Sequence, residues 1–221
     1  MQADDVAPTR IEAAKAAAQS FIDVIPPKIN IGLIEFNGSA ILKVAPTTNH
    51  DQLHRGVDNL KLGESTAIGE AIFASLEAIQ AIPPDDQGTA PPARIVLVSD
   101  GKTTVGRSND SAAQAAVDAG VPVSTIAFGT DTGTITDPRG PGLRIPVPVD
   151  KDALAQIAQA TRGTFFEAVS EGELKAVYED IGSSVGYTNE DRDISAYMIG
   201  GALVLLLITS GLSLTWFSRL P

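Results

Sequence analysis

At 221 residues and 43% hydrophobic content, the chain is long enough for one domain with a sizeable core plus an appendage. Its formal charge of -11, from 16 Lys and Arg against 27 Asp and Glu, leaves no basic stripe to neutralise phosphates, which argues against nucleic acid as a partner. The absence of cysteine excludes disulfides, zinc-thiolate sites and thiol nucleophiles.

The first ten residues, MQADDVAPTR, are polar and acidic, without the basic and apolar regions of a signal peptide. From Arg10 to Ile25, the residues Ile11, Ala14, Ala18, Phe21, Ile22 and Ile25 recur at helical spacing and predict an amphipathic helix that Pro26 and Pro27 stop. INIGLIEF, Ile29 to Phe36, reads as a strand, and the turn NGS leads into a second, AILKV, pairing antiparallel with the first. Helices are predicted over Asn49 to Leu60, with Asn49 as cap, and over Thr66 to Ile82, with apolar Ile68, Ile72, Leu76 and Ile79. A surface loop, PPDDQGTAPP, precedes the apolar strand Arg94 to Ser99. The helix Ser111 to Ala119, ended by Gly120, then joins it to VPVSTIAFG, Val121 to Gly129. Two apolar strands joined through a helix predict a parallel crossover buried on both faces.

The Gly- and Pro-rich stretch after Gly129 reads as a long loop with room for a small hairpin. Asp152 to Ala160 is predicted helical, TFFEA a short strand, and Ser170 the cap of a last helix reaching about Ile181. Residues 185–195 form a polar connector. The run from Ala196 to Phe217 then contains no charge and, at about 1.5 Å per residue, covers roughly the 30 Å of a bilayer core, which predicts a transmembrane helix. Tyr197 and Trp216 would anchor its two ends. The element order indicates an α/β doubly wound, mostly parallel sheet with helices on both faces, in residues 1–184. Such a fold should begin with a strand, and this chain begins with a polar loop and a helix.

In an open parallel sheet, ligands sit outside the carboxyl ends of the strands. Asp100 ends such a strand, and GESTAIGEAI, Gly63 to Ile72, puts Thr66 at a helix entrance, with Gly69 permitting close backbone approach. A carboxylate and hydroxyls from separate loops make an all-oxygen site suited to Mg²⁺ or Mn²⁺. Asp100 could instead cap its own turn, SDGK, and Thr66 could serve as a helix N-cap. His50 and His54, spaced by four, lack the carboxylate of an H-E-x-x-H arrangement and read as a solvated helix face. Asp131 and Asp137 read as turn residues. No dinucleotide, Walker or nucleophile-elbow motif occurs.

INIGLIEF, STAIGEAI, ARIVLVSDG and VPVSTIAFGT together resemble the von Willebrand factor A domain, and with the apolar C-terminal run the chain resembles actinobacterial membrane-bound A-domain proteins. The family's metal-ion-dependent adhesion site joins an Asp-x-Ser-x-Ser loop after the first strand, a Thr before a helix and an Asp after the fourth strand. By resemblance the Thr is Thr66 and the later Asp is Asp100. No Asp-x-Ser-x-Ser occurs here, and Met1 falls just beyond the place where that loop is expected. The resemblance thus implies a fold lacking its first, central strand and a partial site of poor cation affinity. Two accounts follow: the protein starts upstream of Met1, which the surviving loop residues favour, or the domain is a degenerate one without metal.

The resulting expectation is a cell-membrane, single-pass protein, non-enzymatic, whose bound Mg²⁺ or Mn²⁺ leaves one position for an Asp or Glu of a protein partner. By resemblance, a MoxR-type AAA+ ATPase is a further implied partner. The alternatives are a metal-assisted hydrolase, for which neither histidine lies at a strand end, and a structural A domain without metal. The side of the membrane on which the domain lies stays open, since Arg192 and Arg219 flank the run with one charge each.

Overall fold

The computed structural model describes residues 1, 3, 5–63, 65–84, 88–136, 140, 144–185, 208, 209 and 212. Thr9 opens the first helix, α1 (Arg10–Val24), its hydroxyl accepting the amide of Glu12, and the chain leaves it at extended Ile25 before the two prolines. Branched and aromatic residues then form β1 (Ile31–Phe36) and β2 (Ala40–Thr47), an antiparallel hairpin through the expected turn. Asn49 caps α2 (His50–Asp58) by accepting from Gln52, as its sequence position predicts.

The next helix, α3 (Ile68–Gln80), starts two residues later than expected, and its N-cap is Ala67, without a side-chain hydrogen bond. Thr66 is drawn out of the helix because its carbonyl accepts the amide of Thr104 at 2.8 Å and its own amide donates to Thr104 Oγ1 at 3.0 Å. The crossover follows as β3 (Ile95–Ser99), α4 (Asn109–Asp118) and β4 (Val123–Phe128), with β3 and β4 parallel and in register from Ile95/Val123 to Ser99/Ala127. The loop after β4 does carry a small hairpin, β5 (Thr134–Thr136) with β6 (Arg144–Pro146). Finally α5 (Lys151–Ala160) leads to β7 (Phe165–Ala168), parallel to β4, and Ser170 accepts the amide of Glu173 at the start of α6 (Glu171–Val185).

Strand alternation divides the core into two layers, one on each face of the β3-β4-β7 sheet. Ile95 and Leu97 of β3, with Val123 and Ala127 of β4, pack against Ile68, Ile72 and Leu76 of α3, Ala112 and Ala116 of α4, and Leu154 and Ile157 of α5. On the opposite face, Ile126 and Phe128 meet Ala13 and Ala17 of α1 and Leu174, Tyr178 and Ile181 of α6. Phe21 and Tyr178 join these two helices with ring centroids 4.8 Å apart. Every residue of β4 is buried because the strand has a neighbour on each edge and helices on each face. Its two polar side chains are satisfied there: Thr125 Oγ1 donates to the Leu154 carbonyl at 2.8 Å, and Ser124 Oγ accepts the Thr164 amide at 3.3 Å. Each buried Ile, Leu or Phe contributes about 1.5 to 3 kcal/mol by leaving water.

Two expectations are corrected. The deepest face of α1 runs through Arg10, Ala13, Ala17 and Ile22, whereas Ile11, Ala14 and Ala18 are only half-buried. The helix is rotated because Arg10 itself is anchored inside. The expected continuous sheet is, among the described residues, a β1-β2 pair and a separate parallel β3-β4-β7 sheet, linked through Phe36, which packs on the core that Ile95 and Leu97 line. A smaller cluster of Ile22, Val44, Leu53 and Val57 seats the hairpin on α1 and α2.

The chain divides into Met1–Gly186 and Tyr187–Pro221. The expected connector and the transmembrane helix of residues 196–217 lie outside the described residues except for Val185, Ile208, Thr209 and Leu212. Among the described residues no helix is long and apolar enough to cross a membrane.

Candidate functional site

Beyond the carboxyl ends of β3 and β4, the loops after those two strands meet the entrance of α3 and the segment that precedes α1. Asp100 directly follows β3, and the loop after it is stitched to the entrance of α3 by the Thr66–Thr104 bonds and by the Val105 amide, which donates to the Thr66 carbonyl at 3.4 Å. The loop that Asp100 opens is therefore bonded to the loop that holds Thr66, through Thr104 and Val105. A Cβ on Gly69 would strike the carbonyl oxygen of Arg107, so the close backbone approach expected of this glycine is realised where α3 meets the Asp100 loop.

Asp100 has two readings in the sequence, and the geometry separates them. The turn after β3 is held by Ser99, whose hydroxyl accepts the Gly101 amide at 3.4 Å and donates to the Gly101 carbonyl at 3.3 Å. The Asp100 carboxylate faces another way, accepting from Arg10 Nη1 at 3.2 Å, with the Met1 amino group on the same oxygen. Burial first, and then the Arg10 guanidinium, lower the pKa of that amine to about 5, against a smaller opposing effect of Asp5.

Arg10 was not legible as a site residue. Its side chain has no exposure to solvent, and each of its five N–H directions finds oxygen. Nε and Nη2 donate to the two oxygens of Asp5, both at 2.7 Å; Nη1 reaches Asp100 Oδ2 and, at 3.5 Å, the Asp100 carbonyl; Nη2 also reaches the Thr130 carbonyl at 3.2 Å. Asp5 is held in turn by the Thr130 amide at 2.8 Å and hydroxyl at 2.5 Å. Hydrogen bonds from Arg10 above all, then those from Thr130, hold the Asp5 carboxyl far below the usual carboxylate range, overcoming the opposite effect of its burial. The channel for the guanidinium exists because Gly129, at φ +125°, and Gly133 have no side chain: a Cβ on either would overlap it. The one signal available beforehand was a cation at the first residue of a helix, where the helix dipole disfavours it.

The described residues do not by themselves fit a resident divalent ion. Among them no three His, Cys, Asp or Glu side chains gather as a metal-binding group, and the cation that meets Asp100 is Arg10. His50 and His54 lie elsewhere, and not on a solvated face. His54 contacts Gln19 and, at 3.1 Å, Asp23 of α1, while Nε2 of His50 is buried without a partner among the described residues. Asp131 pairs with Lys151 at 3.3 Å, and Asp137 lies outside the described residues.

A second charged cluster lies beside the crevice. Arg107 stacks over the Phe73 ring, 3.5 Å from its centroid, and its Nη2 donates to Glu70 Oε2 at 2.7 Å. The two line a polar groove of about 340 Å³ with Glu77 and the hairpin tip, Gly38 to Ala40.

The model of the von Willebrand factor type A domain matches residues 1–102. Over its whole length the chain is similar to a UPF0353 protein of Nocardia farcinica, at 39% identity, and covers 70% of that relative. A UPF0353 protein of Mycobacterium tuberculosis is 42% identical over 94% of this chain, which covers 64% of it. The chain thus spans about two thirds of the length of these relatives. Among solved structures, an aerotolerance-related membrane protein from Bacteroides fragilis shares the fold at a TM-score of 0.71 and 21% identity, over 84% of this chain and 92% of that one.

Proposed function

Because this chain belongs to the UPF0353 family and carries a von Willebrand factor type A domain, we propose that it is a membrane-associated protein-binding module, without enzymatic activity, that engages its partner over the crevice at the ends of β3 and β4. The observation that supports the reading is the bonding of the Thr66 loop to the loop that follows Asp100, through Thr104 and Val105. In this proposal Thr66 and Asp100 supply two oxygens to Mg²⁺ or Mn²⁺. The other ligands are water or groups outside the described residues, and the ion has to displace Arg10 from Asp100. A partner's Asp or Glu would take the last position, and a MoxR-type AAA+ ATPase is the candidate partner. The finer architecture proposed is a doubly wound sheet in which β1 and β3 flank the place of a central strand, followed by a single membrane-spanning helix over residues 196–217. The uncharged run supports membrane association, as does the membrane character in the name of the B. fragilis neighbour.

Capture of a MoxR-type ATPase by the chain in detergent, with and without Mg²⁺, tests the reading. Retention that depends on Mg²⁺ and is lost in both Asp100→Ala and Thr66→Ala is the expected result. Equal retention by the wild type and both variants would remove the crevice as the binding surface. Membrane association has its own test, since the chain should resist carbonate extraction and a chain ending at residue 186 should not.

A further inference from the structure

Arg10 carries a full charge with no solvent exposure, at the end of a helix whose dipole opposes it, and its contacts are unequal. Asp5 holds it by two bonds of 2.7 Å, whereas Asp100 receives a single longer one, 3.2 Å, to its carboxylate. Loss of the Asp100 contact would still leave the guanidinium paired with Asp5 and Thr130. The two glycines give it space on the β4 side without a side chain to wedge it against Asp100. The arrangement is therefore a tethered cation with one firm partner and one exchangeable partner.

We infer that Arg10 is the resident cation of this crevice: its guanidinium occupies the place against Asp100 that a divalent ion requires, and competition between the two sets how tightly such an ion binds. The inference rests on the proposed role of Asp100 as a ligand. A divalent ion held by the Asp100 carboxylate would meet the charge of Arg10 on the same group, and like charges brought together where water is excluded repel strongly. Asp5 has the opposite effect. By holding the guanidinium it limits the pull toward Asp100, so that losing the Asp5 charge should strengthen the grip of Arg10 on Asp100.

Mn²⁺ binding to the whole chain, followed by the spin-resonance signal of free Mn²⁺ at neutral pH and low salt, tests this. Arg10→Gln should bind at least roughly tenfold tighter than wild type, because a nearby positive charge is gone. Arg10→Lys, which keeps the charge, should stay near wild type, and Asp5→Asn should bind more weakly. If Arg10→Gln fails to fold, the double variant Arg10→Gln/Asp5→Asn, which leaves Asp100 as the one carboxylate of the cluster without its counterion, should show the gain. Adding Asp100→Asn should abolish it. A merely structural role would move Arg10→Lys and Arg10→Gln alike, and that result overturns the inference. Equal Mn²⁺ affinity in wild type and the double variant, lost on Asp100→Asn, would overturn it while leaving Asp100 a ligand. No binding by any variant would remove both.

Discussion

Among the described residues, Arg10 and Arg107 each meet a carboxylate near the loop end of this domain, and the two places differ in water. Around Arg10 the guanidinium is wholly buried and Asp5 and Asp100 keep only 12% and 14% exposure, so the charges answer one another across protein. Around Arg107 the side chain is 50% exposed, lies flat on Phe73 and pairs with a Glu70 that water also reaches. The bond lengths are alike, 2.7 Å in both clusters. What differs is the replacement available when a partner is removed: water at Arg107, nothing at Arg10. Burial, more than geometry, decides which pair the fold depends on.

The largest expected effect follows from that difference. Arg10→Met should lower stability by about 3 to 5 kcal/mol in urea titrations, since two buried carboxylates lose their counterion, and Arg10→Met/Asp5→Asn should recover part of the loss. A loss below about 1 kcal/mol would place Arg10 with ordinary surface ion pairs and break the comparison. Next, Gly129→Ala should cost about 1 to 3 kcal/mol, because the residue sits at φ +125° and its new methyl group meets the guanidinium. Gly101→Ala, with open space around it, is the control and should leave the melting temperature unchanged.

Acid sharpens the contrast. The native pKa of Asp5 is depressed, so its contribution is fully present above the unfolded carboxylate value of about 3.9 and is lost as pH falls from there toward the native value. Wild type should therefore lose more stability below pH about 4 than Asp5→Asn does, as read from melting temperature against pH. Glu70, brought down to about 2 first by its hydrogen bonds from the Arg107 side chain, titrates in the same direction. The smallest effect is expected there. Glu70→Gln should give no resolvable change in unfolding midpoint at moderate salt, because solvent replaces the lost contact. A clear loss would show that the groove beside Phe73 is a structural element in its own right.

Much of the fold was legible from short stretches of chain. The turn NGS specified the β1-β2 hairpin, Asn49 and Ser170 acted as helix caps, and the apolar run from Val121 to Gly129 became the fully buried β4. Each signal is read within a few residues, since turns, caps and periodicity are local physics. Thr66 was less legible. Its hydroxyl type and position suit a cap, yet bonds to Thr104, 38 residues away, pull it out of the helix.

By itself, then, the sequence determined the order of elements, the parallel crossover, the acidic charge and the uncharged C-terminal run, and it marked Asp100 as the residue at a strand end. Only the tertiary structure decided what Asp100 faces. Its partner Arg10 lies 90 residues earlier, and the Thr130 that fixes Asp5 lies 125 residues after it. In sequence, DDVAPTR reads as a solvated lead-in, because a buried ion pair leaves no periodic trace. It is stabilised by charges that distant strands bring to one end of the sheet, and only the assembled fold, with glycine on the β4 side to make room, excludes the water that would otherwise take their place.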